Sequence, residues 1–374
     1  MEKWDKQKAK EWYARYPWIR GFNYVPSSAN HRIEFYQEYG WETQKETIER
    51  ELSLAHKWGF NAIRILMQLE LYIDQHDTYL SHIEQILEIA HKNSIYVMIC
   101  FGNDCVVQKQ NYSWPVYGPQ TFDFGYHGGR KKSPHVVMNE PGYNIIDEKK
   151  YEICFYDMIR EIMTKYKNDT RVLLWDMYNE PGNSRRGMMS YPYLENAFAL
   201  GREINPIQPL TACCWNYDEN LKPYREIEVK ALEMSDVISY HCYLKSPDCM
   251  KVTENLEEMY DRPLFNTEWL HRIFHNDVFD LFPYFEKNHI GCFNWGFVTG
   301  KAQTREPWEW LWDAYDKGKG RDWDFTKWQH DLVRPNLRPY DPKEYECIRD
   351  VCDIADKKWE LESKNRAFHL PLFF

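Results

Sequence analysis

Nowhere in these 374 residues do 18 apolar side chains follow one another, so no segment reads as a membrane-spanning helix. The chain has only 17 glycines, and none forms the Gly-rich turn that cradles phosphates after a first strand. Its ten cysteines (Cys100, Cys105, Cys154, Cys213, Cys214, Cys242, Cys249, Cys292, Cys347 and Cys352) contain no paired Cys-x-x-Cys spacing of the zinc type. The histidines form no His-Glu-x-x-His or His-x-His cluster. His271 and His275 have helical spacing, but Arg272 stands where a metalloprotease would carry its glutamate. Neither a catalytic metal nor any cofactor is expected. A Gly-x-Ser-x-Gly nucleophile elbow is also missing, which argues against a serine hydrolase.

Positive charge is in deficit. Lys and Arg number 47 against 57 Asp and Glu, a net charge of −10. That balance argues against nucleic acid or an anionic membrane as partner and suits a neutral ligand. The opening residues, Met1 to Lys8, lack the apolar core of a secretory signal. Several cysteines lie in apolar runs, such as Ile99-Cys100-Phe101 and Gly291-Cys292-Phe293, where a free thiol behaves as a small hydrophobe. Both features lead to the expectation of a cytoplasmic protein with reduced thiols.

Aromatic side chains are present in excess. Trp, Tyr and Phe make up 17% of the chain, with 16 Trp and 27 Tyr. Many fall between the regular elements, where flat rings serve as stacking platforms for the C–H faces of pyranoses. Carbohydrate is therefore the expected partner.

Short apolar runs alternate with amphipathic stretches along the chain. The strand-like runs are 19–25, 60–67, 95–101, 171–178, 209–215, 236–241, 263–267 and 290–295. The helical stretches are 43–58, 79–92, 147–167, 193–204, 249–260, 278–288 and 342–358, with a weaker one before the sixth strand. In the clearest, Tyr151, Phe155, Met158, Ile159, Ile162, Met163 and Tyr166 recur at spacings of three and four. Runs as continuously apolar as Val172-Leu173-Leu174-Trp175 fit strands buried on both faces. The pattern predicts the α/β class, a (β/α)8 barrel forming one domain over residues 1–374. An open doubly wound sheet is the alternative architecture, and the missing phosphate loop argues against it.

Two connections are long, 102–146 after the third strand and 296–341 after the eighth. Both belong to the strand-to-helix face, where barrels carry function. Trp114, Tyr117, Tyr126 and His127 in the first, and Trp308, Trp310, Trp312, Trp323 and Trp328 in the second, are expected as walls of a sugar pocket.

Two strand ends carry carboxylates. The fourth ends Tyr178-Asn179-Glu180-Pro181-Gly182 and the seventh Phe265-Asn266-Thr267-Glu268-Trp269. Glycosidic cleavage needs such a pair, one to protonate the leaving oxygen and one to attack the anomeric carbon. By itself Asn-Glu-Pro is a common helix-start sequence. The letters also recur at Asn139-Glu140-Pro141, but there they follow only a short apolar run, mid-loop, where no barrel strand would hold the carboxylate.

Asn179-Glu180-Pro181 after an apolar strand resembles the signature of the large glycoside hydrolase clan that includes family 5. Glu268 in Phe-Asn-Thr-Glu resembles its strand-seven carboxylate. Arg64, the pair His241 and Tyr243, and Trp295 are similar to the clan's arginine, His-x-Tyr pair and tryptophan platform. The resemblance spans roughly residues 21–295. It implies Glu180 as acid/base and Glu268 as nucleophile of a retaining β-glycosidase. It places Arg64, Asn179, His241, Tyr243 and Trp295 around the sugar, and Asp104 and Trp114 complete the expected substrate-binding set. Where many family 5 members have a histidine after strand three, this chain has Gly102-Asn103-Asp104-Cys105.

On that reading Arg64 and the Tyr243 hydroxyl favour the charged form of Glu268, and its charge keeps a proton on Glu180. Esterifying Glu268 removes that charge, and Glu180 then deprotonates the incoming water. Asn179 is expected on the sugar 2-hydroxyl, His241 as orienter of Asn179 or of the Glu180 side, and Asp176 as a buried structural partner. The expected activity is exo-action on short β-linked oligosaccharides. A non-catalytic carbohydrate-binding barrel and a transglycosylase using the same site are the alternatives.

Overall fold

The computed structural model of the chain describes residues 2–121 and 139–368. Eight parallel strands form its centre: β1 Arg20–Asn23, β2 Ala62–Leu66, β3 Tyr96–Asn103, β4 Val172–Asn179, β5 Leu210–Thr211, β6 Ile238–His241, β7 Leu264–Trp269 and β8 Gly291–Trp295. They are hydrogen-bonded in the order β5-β4-β3-β2-β1-β8-β7-β6. The last seam is crossed just past β5, where Cys214 bridges Tyr240 and the His241 N–H donates to the Cys214 carbonyl at 2.9 Å. This is a nearly closed (β/α)8 barrel. Every residue of β1, β4, β6 and β7 is buried, as strands covered by helices outside and packed side chains inside require.

β5 is far shorter than its apolar run. Beyond Thr211 two backbone donors leave the ladder for side chains, Ala212 N–H to Ser235 Oγ at 3.0 Å and Trp215 N–H to Glu228 Oε2 at 2.9 Å, and the Cys214 backbone alone still reaches β6. The helices match the amphipathic stretches with shifted ends. Helix Trp41–Trp58 stops at Gly59, whose φ of +94° is the left-handed cap glycine accepts without a Cβ clash. Helix Lys149–Tyr166 buries Phe155, Met158, Ile159, Ile162, Met163 and Tyr166 along one stripe.

Among the described residues four α-helices have no counterpart in the amphipathic stretches, the short Arg32–Tyr36, Leu69–Asp74 and Glu309–Asp316 and, at the chain start, Lys6–Tyr13. Lys6–Tyr13 is mostly polar and is capped by Asp5, which accepts from the Lys8 N–H at 2.7 Å. Trp4, Ala9, Trp12 and Tyr13 bury against Ile19, Met98, Leu173, Val237, Phe265 and Phe293. It therefore plugs the end of the barrel opposite the strand C-termini. The loop after β8 is also ordered, through a guanidinium: Arg272 pairs with both Glu344 oxygens at 2.7 Å and donates to the carbonyls of His330 at 2.6 Å and Asp331 at 2.9 Å. None of the ten cysteines is in a disulfide.

Candidate active site

β4 delivers Glu180 at a sharp turn. Glu180 has φ +44°, left-handed backbone that costs a non-glycine residue energy and persists only where neighbours enforce it. The neighbours are specific. Glu180 N–H donates to Cys213 Sγ at 3.3 Å, and Gly182 N–H to Asp104 Oδ2 at 2.7 Å. β7 delivers Glu268 beside register shifts against both neighbouring strands, irregularities of the kind that re-aim side chains.

At the centre lies Arg64 of β2, fully buried. Its Nε and Nη2 donate to Asp176 Oδ2 at 3.0 and 2.8 Å, Nη1 to Asn23 Oδ1 at 2.7 Å and Glu268 Oε1 at 3.0 Å, and Nη2 also to Asn179 Oδ1 at 2.6 Å. Asp176 thus holds the cation, and the cation sets Glu268 and Asn179 in register. Asn179 Nδ2 donates to Asn103 Oδ1 at 2.8 Å, which fixes its amide orientation. The Tyr243 hydroxyl donates to Glu268 Oε2 at 2.9 Å.

His241 sits between the carboxylates, its Nδ1 2.8 Å from Glu180 Oε1 and 3.4 Å from Glu268 Oε2. It does not orient Asn179, which Arg64 and Asn103 hold instead. Ligand atoms of Glu180, His241 and Glu268 all lie within 4.8 Å of one another. Among the described residues this is the one group whose donors could hold a metal ion. Its oxygens, however, already accept from Arg64, Tyr243, Cys105 and Asn183, an arrangement suited to sharing protons. A cavity of about 760 Å³ opens over the pair, lined by Asn23, Asn103, Cys105, Asn179, Trp215, Tyr243, Trp295 and Trp308 among others.

Two expected substrate contacts lie elsewhere. Asp104 is fully buried beneath the Glu180 turn, where its Oδ1 accepts from the Tyr178 hydroxyl at 2.9 Å and pairs with Arg186 Nε at 2.9 Å. Its charge is consumed there, so it cannot serve a sugar. Trp114 stacks on Tyr151 with ring centroids 5.0 Å apart and donates to Asp74 Oδ2 at 2.6 Å, away from the cavity wall. Of the tryptophans in the two long loops, Trp308 alone lines the cavity. Trp310 and Trp323 pack edge-to-face on each other, Trp312 stacks on Phe325, and Trp328 on Tyr340. Tyr117 turns its hydroxyl to Asp74 at 2.7 Å. Tyr126 and His127 lie outside the described residues. Glu140 is exposed and off the cavity.

Cys105, Asn103, Asn183 and Trp215 escaped the sequence reading. Asn183 lies three residues past Glu180, Asn103 and Cys105 lie at and just past the end of β3, where the chain departs from the family histidine, and Trp215 follows β5 with no local signal.

Burial pushes the Glu268 carboxyl above its ordinary 4.5. His241, Arg64 and the Tyr243 hydroxyl pull it down and the Glu180 charge adds to the rise, but burial prevails. Arg64 and Tyr243 favour the ionised form as expected, and burial opposes them. A nucleophile must be ionised, so the acid limb of kcat/KM should lie above pH 4.5. Tyr243→Phe removes a hydrogen bond made to the ionised form and should move that limb up by about one pH unit. A limb that stays put or moves down in Tyr243→Phe contradicts this account of Glu268.

Two carboxylates this close, in unlike surroundings at the mouth of a barrel, define a glycoside hydrolase site. The comparisons agree: the family model described as Cellulase (glycosyl hydrolase family 5) matches residues 20–299. The chain belongs to glycosyl hydrolase family 5, and it is an O-glycosyl hydrolase of a family in which retention of anomeric configuration is typical. No curated protein sequence matches it. Similar solved structures include the endo-β-1,4-mannanase of Thermotoga petrophila, with TM-score 0.55, 12% identity, 91% of this chain and 77% of that one covered. The endo-1,4-β-mannanase of Rhizomucor miehei gives 0.53, 13%, 91% and 95%. The exo-β-1,4-mannosidase Op5Man5 of Opitutaceae bacterium strain TAV5 gives 0.53, 14%, 91% and 60%. At such identities the likeness establishes the shared fold.

Proposed function

We propose that this hydrolase cleaves β-glycosides by double displacement, with Glu268 as nucleophile and Glu180 as acid/base, removing sugars from the ends of short β-linked chains. The observation that carries the reading is the approach of the two carboxylates, one oxygen of each lying within 4.8 Å of the other. Retaining enzymes need about 5–5.5 Å and inverting ones about 6.5–9.5 Å. The surroundings divide the roles. Glu268, fastened by Arg64 and Tyr243, attacks the anomeric carbon while Glu180 gives its proton to the departing oxygen. Water then enters, gives a proton to Glu180, and its oxygen displaces the Glu268 carboxylate from the sugar. Asn179, its oxygen engaged by Arg64 and one amide N–H by Asn103, turns its second N–H, which makes only a long 3.6 Å contact to Cys105 Sγ, to the sugar 2-hydroxyl, a bond that tightens as charge develops. Trp295 forms the floor.

Exo-action is supported by a clip between the loops after β1 and β8. Lys301 N–H donates to the Ser27 carbonyl at 3.0 Å, and Lys301 Nζ pairs with Glu34 at 2.9 Å. Gly300 lies so close that a Cβ there would fall 2.1 Å from the Ser27 oxygen. Ser27 and Gly300 both line the cavity, so the clip forms part of its wall, and on this reading it limits how far a chain can extend on that side. Time-resolved NMR of β-glucosides, β-mannosides and β-galactosides, each with its short β-1,4-linked oligosaccharide, tests both parts. The first-formed product should be the β-anomer, released as single sugars from chain ends. An α-anomer as first product overturns double displacement. A broad range of early oligosaccharides with a rapid fall in the viscosity of a β-1,4-glycan overturns exo-action.

A further inference from the structure

Glu180 is flanked by two sulfurs to which the mechanism above gives no role. Cys213 takes its backbone N–H. The other is Cys105, two residues past β3, whose Sγ lies 3.0 Å from Glu180 Oε2 and which lines the cavity. Its position is built. Cys105 N–H donates to Asn103 Oδ1 at 3.1 Å, while the next residue and Ser184 clasp each other, Val106 N–H to Ser184 Oγ at 3.1 Å and Ser184 Oγ to Val106 carbonyl at 3.0 Å. Ser184 belongs to the same turn as Glu180, so thiol and carboxyl are fixed to one frame. The sulfur also accepts, from Asn183 Nδ2 at 3.4 Å and Asn179 Nδ2 at 3.6 Å.

We propose that Cys105 is a positioning residue for the acid/base: its S–H donates to Glu180 Oε2 and favours the ionised carboxylate that must accept a proton from water in the second step. The inference rests on the reading of Glu180 as acid/base. Burial, and then the facing Glu180 charge, push the thiol well above its ordinary range, so it remains S–H and does not compete as a nucleophile. Unlike the Asn183 amide N–H, a thiol can also accept. When Oε2 carries the proton, the S–H turns aside and the sulfur receives the O–H. When Oε2 is bare, the S–H donates, and this charge-assisted arrangement is the stronger of the two. One rotor thus serves both protonation states through which an acid/base passes.

The test separates the two chemical steps. With 2,4-dinitrophenyl β-glycosides the leaving group needs no proton, so kcat reports hydrolysis of the glycosyl-enzyme and kcat/KM its formation. Cys105→Ala should lower kcat on these substrates about tenfold and leave kcat/KM within about twofold. It should also move the basic limb of kcat/KM on p-nitrophenyl substrates upward by about half a pH unit, since the ionised form has lost a donor. Cys105→Ser keeps a donor and should restore most of both effects; if Cys105→Ala does not fold, Cys105→Val replaces it. A donor-free variant that superimposes on wild type overturns the proposal. So does one that loses rate equally in both steps with an unmoved limb, which is what a merely structural residue gives. Glu180→Ala with azide is the separate arm. Loss of kcat restored by azide upholds the acid/base reading, so a null result at Cys105 then sinks this inference alone. Full activity of Glu180→Ala sinks both.

Discussion

Glu268→Ala lowers kcat on aryl β-glycosides by on the order of 10⁵-fold, because the variant has no atom to form the covalent intermediate. Sodium azide enters the space left by the carboxylate and restores a measurable part of the rate, and the azide-derived product has the α-configuration, the outcome of one displacement in place of two. Arg64 makes this substitution informative. In the variant it still holds Asp176, Asn23 and Asn179, so the pocket keeps its charge clamp and the loss reports chemistry. Glu268→Ala running at the wild-type rate would remove the basis of the assigned mechanism.

Asp104→Asn damages both stability and turnover although the residue never meets the sugar. Both Asp104 oxygens are in use, Oδ1 by the Tyr178 hydroxyl and Arg186, Oδ2 by the Gly182 N–H. An amide has one oxygen, so whichever way it turns, its NH₂ faces a donor. Breaking a buried charge pair costs about 3–5 kcal/mol. Arg186 retains Asp147 at 2.6 Å, which places the loss near the lower end, about 3 kcal/mol in urea unfolding. The turn bearing Glu180 is released at the same time. Since a displacement of about 1 Å costs roughly 100-fold in rate, kcat should fall 10- to 100-fold while KM changes little. An unchanged unfolding midpoint together with full kcat contradicts the role given to Asp104.

Asp104 also shows where reading residues along a strand stops short. A carboxylate at a strand end looks the same in sequence whether it faces the cleft or a neighbouring arginine. Arg186 lies 82 residues further on and Gly182 78 residues further on, and only folding brings them together. Trp114 teaches the same about loops. An aromatic in a long connection can wall a pocket or fasten the loop to a helix, and Tyr151 decides for the second. Lys6–Tyr13 escaped for another reason: an eight-residue, mostly polar helix has too weak a stripe to be recognised until the barrel end it plugs is visible.

The alternation of apolar runs, the eight strands and the two strand-end glutamates were determined by the sequence alone. Strand burial writes itself as continuous apolarity, and a barrel gathers every strand end at one mouth, so local pattern already implies where Glu180 and Glu268 emerge. The family resemblance already set Arg64 and Tyr243 beside Glu268 and offered His241 for the Glu180 side; the tertiary structure alone decided that His241 lies against Glu180 and not Asn179, that Cys105 donates to Glu180, and that burial outweighs Arg64 and Tyr243 at Glu268. Those relations depend on distances of about 3 Å between residues far apart in the chain, and no spacing along the sequence encodes them.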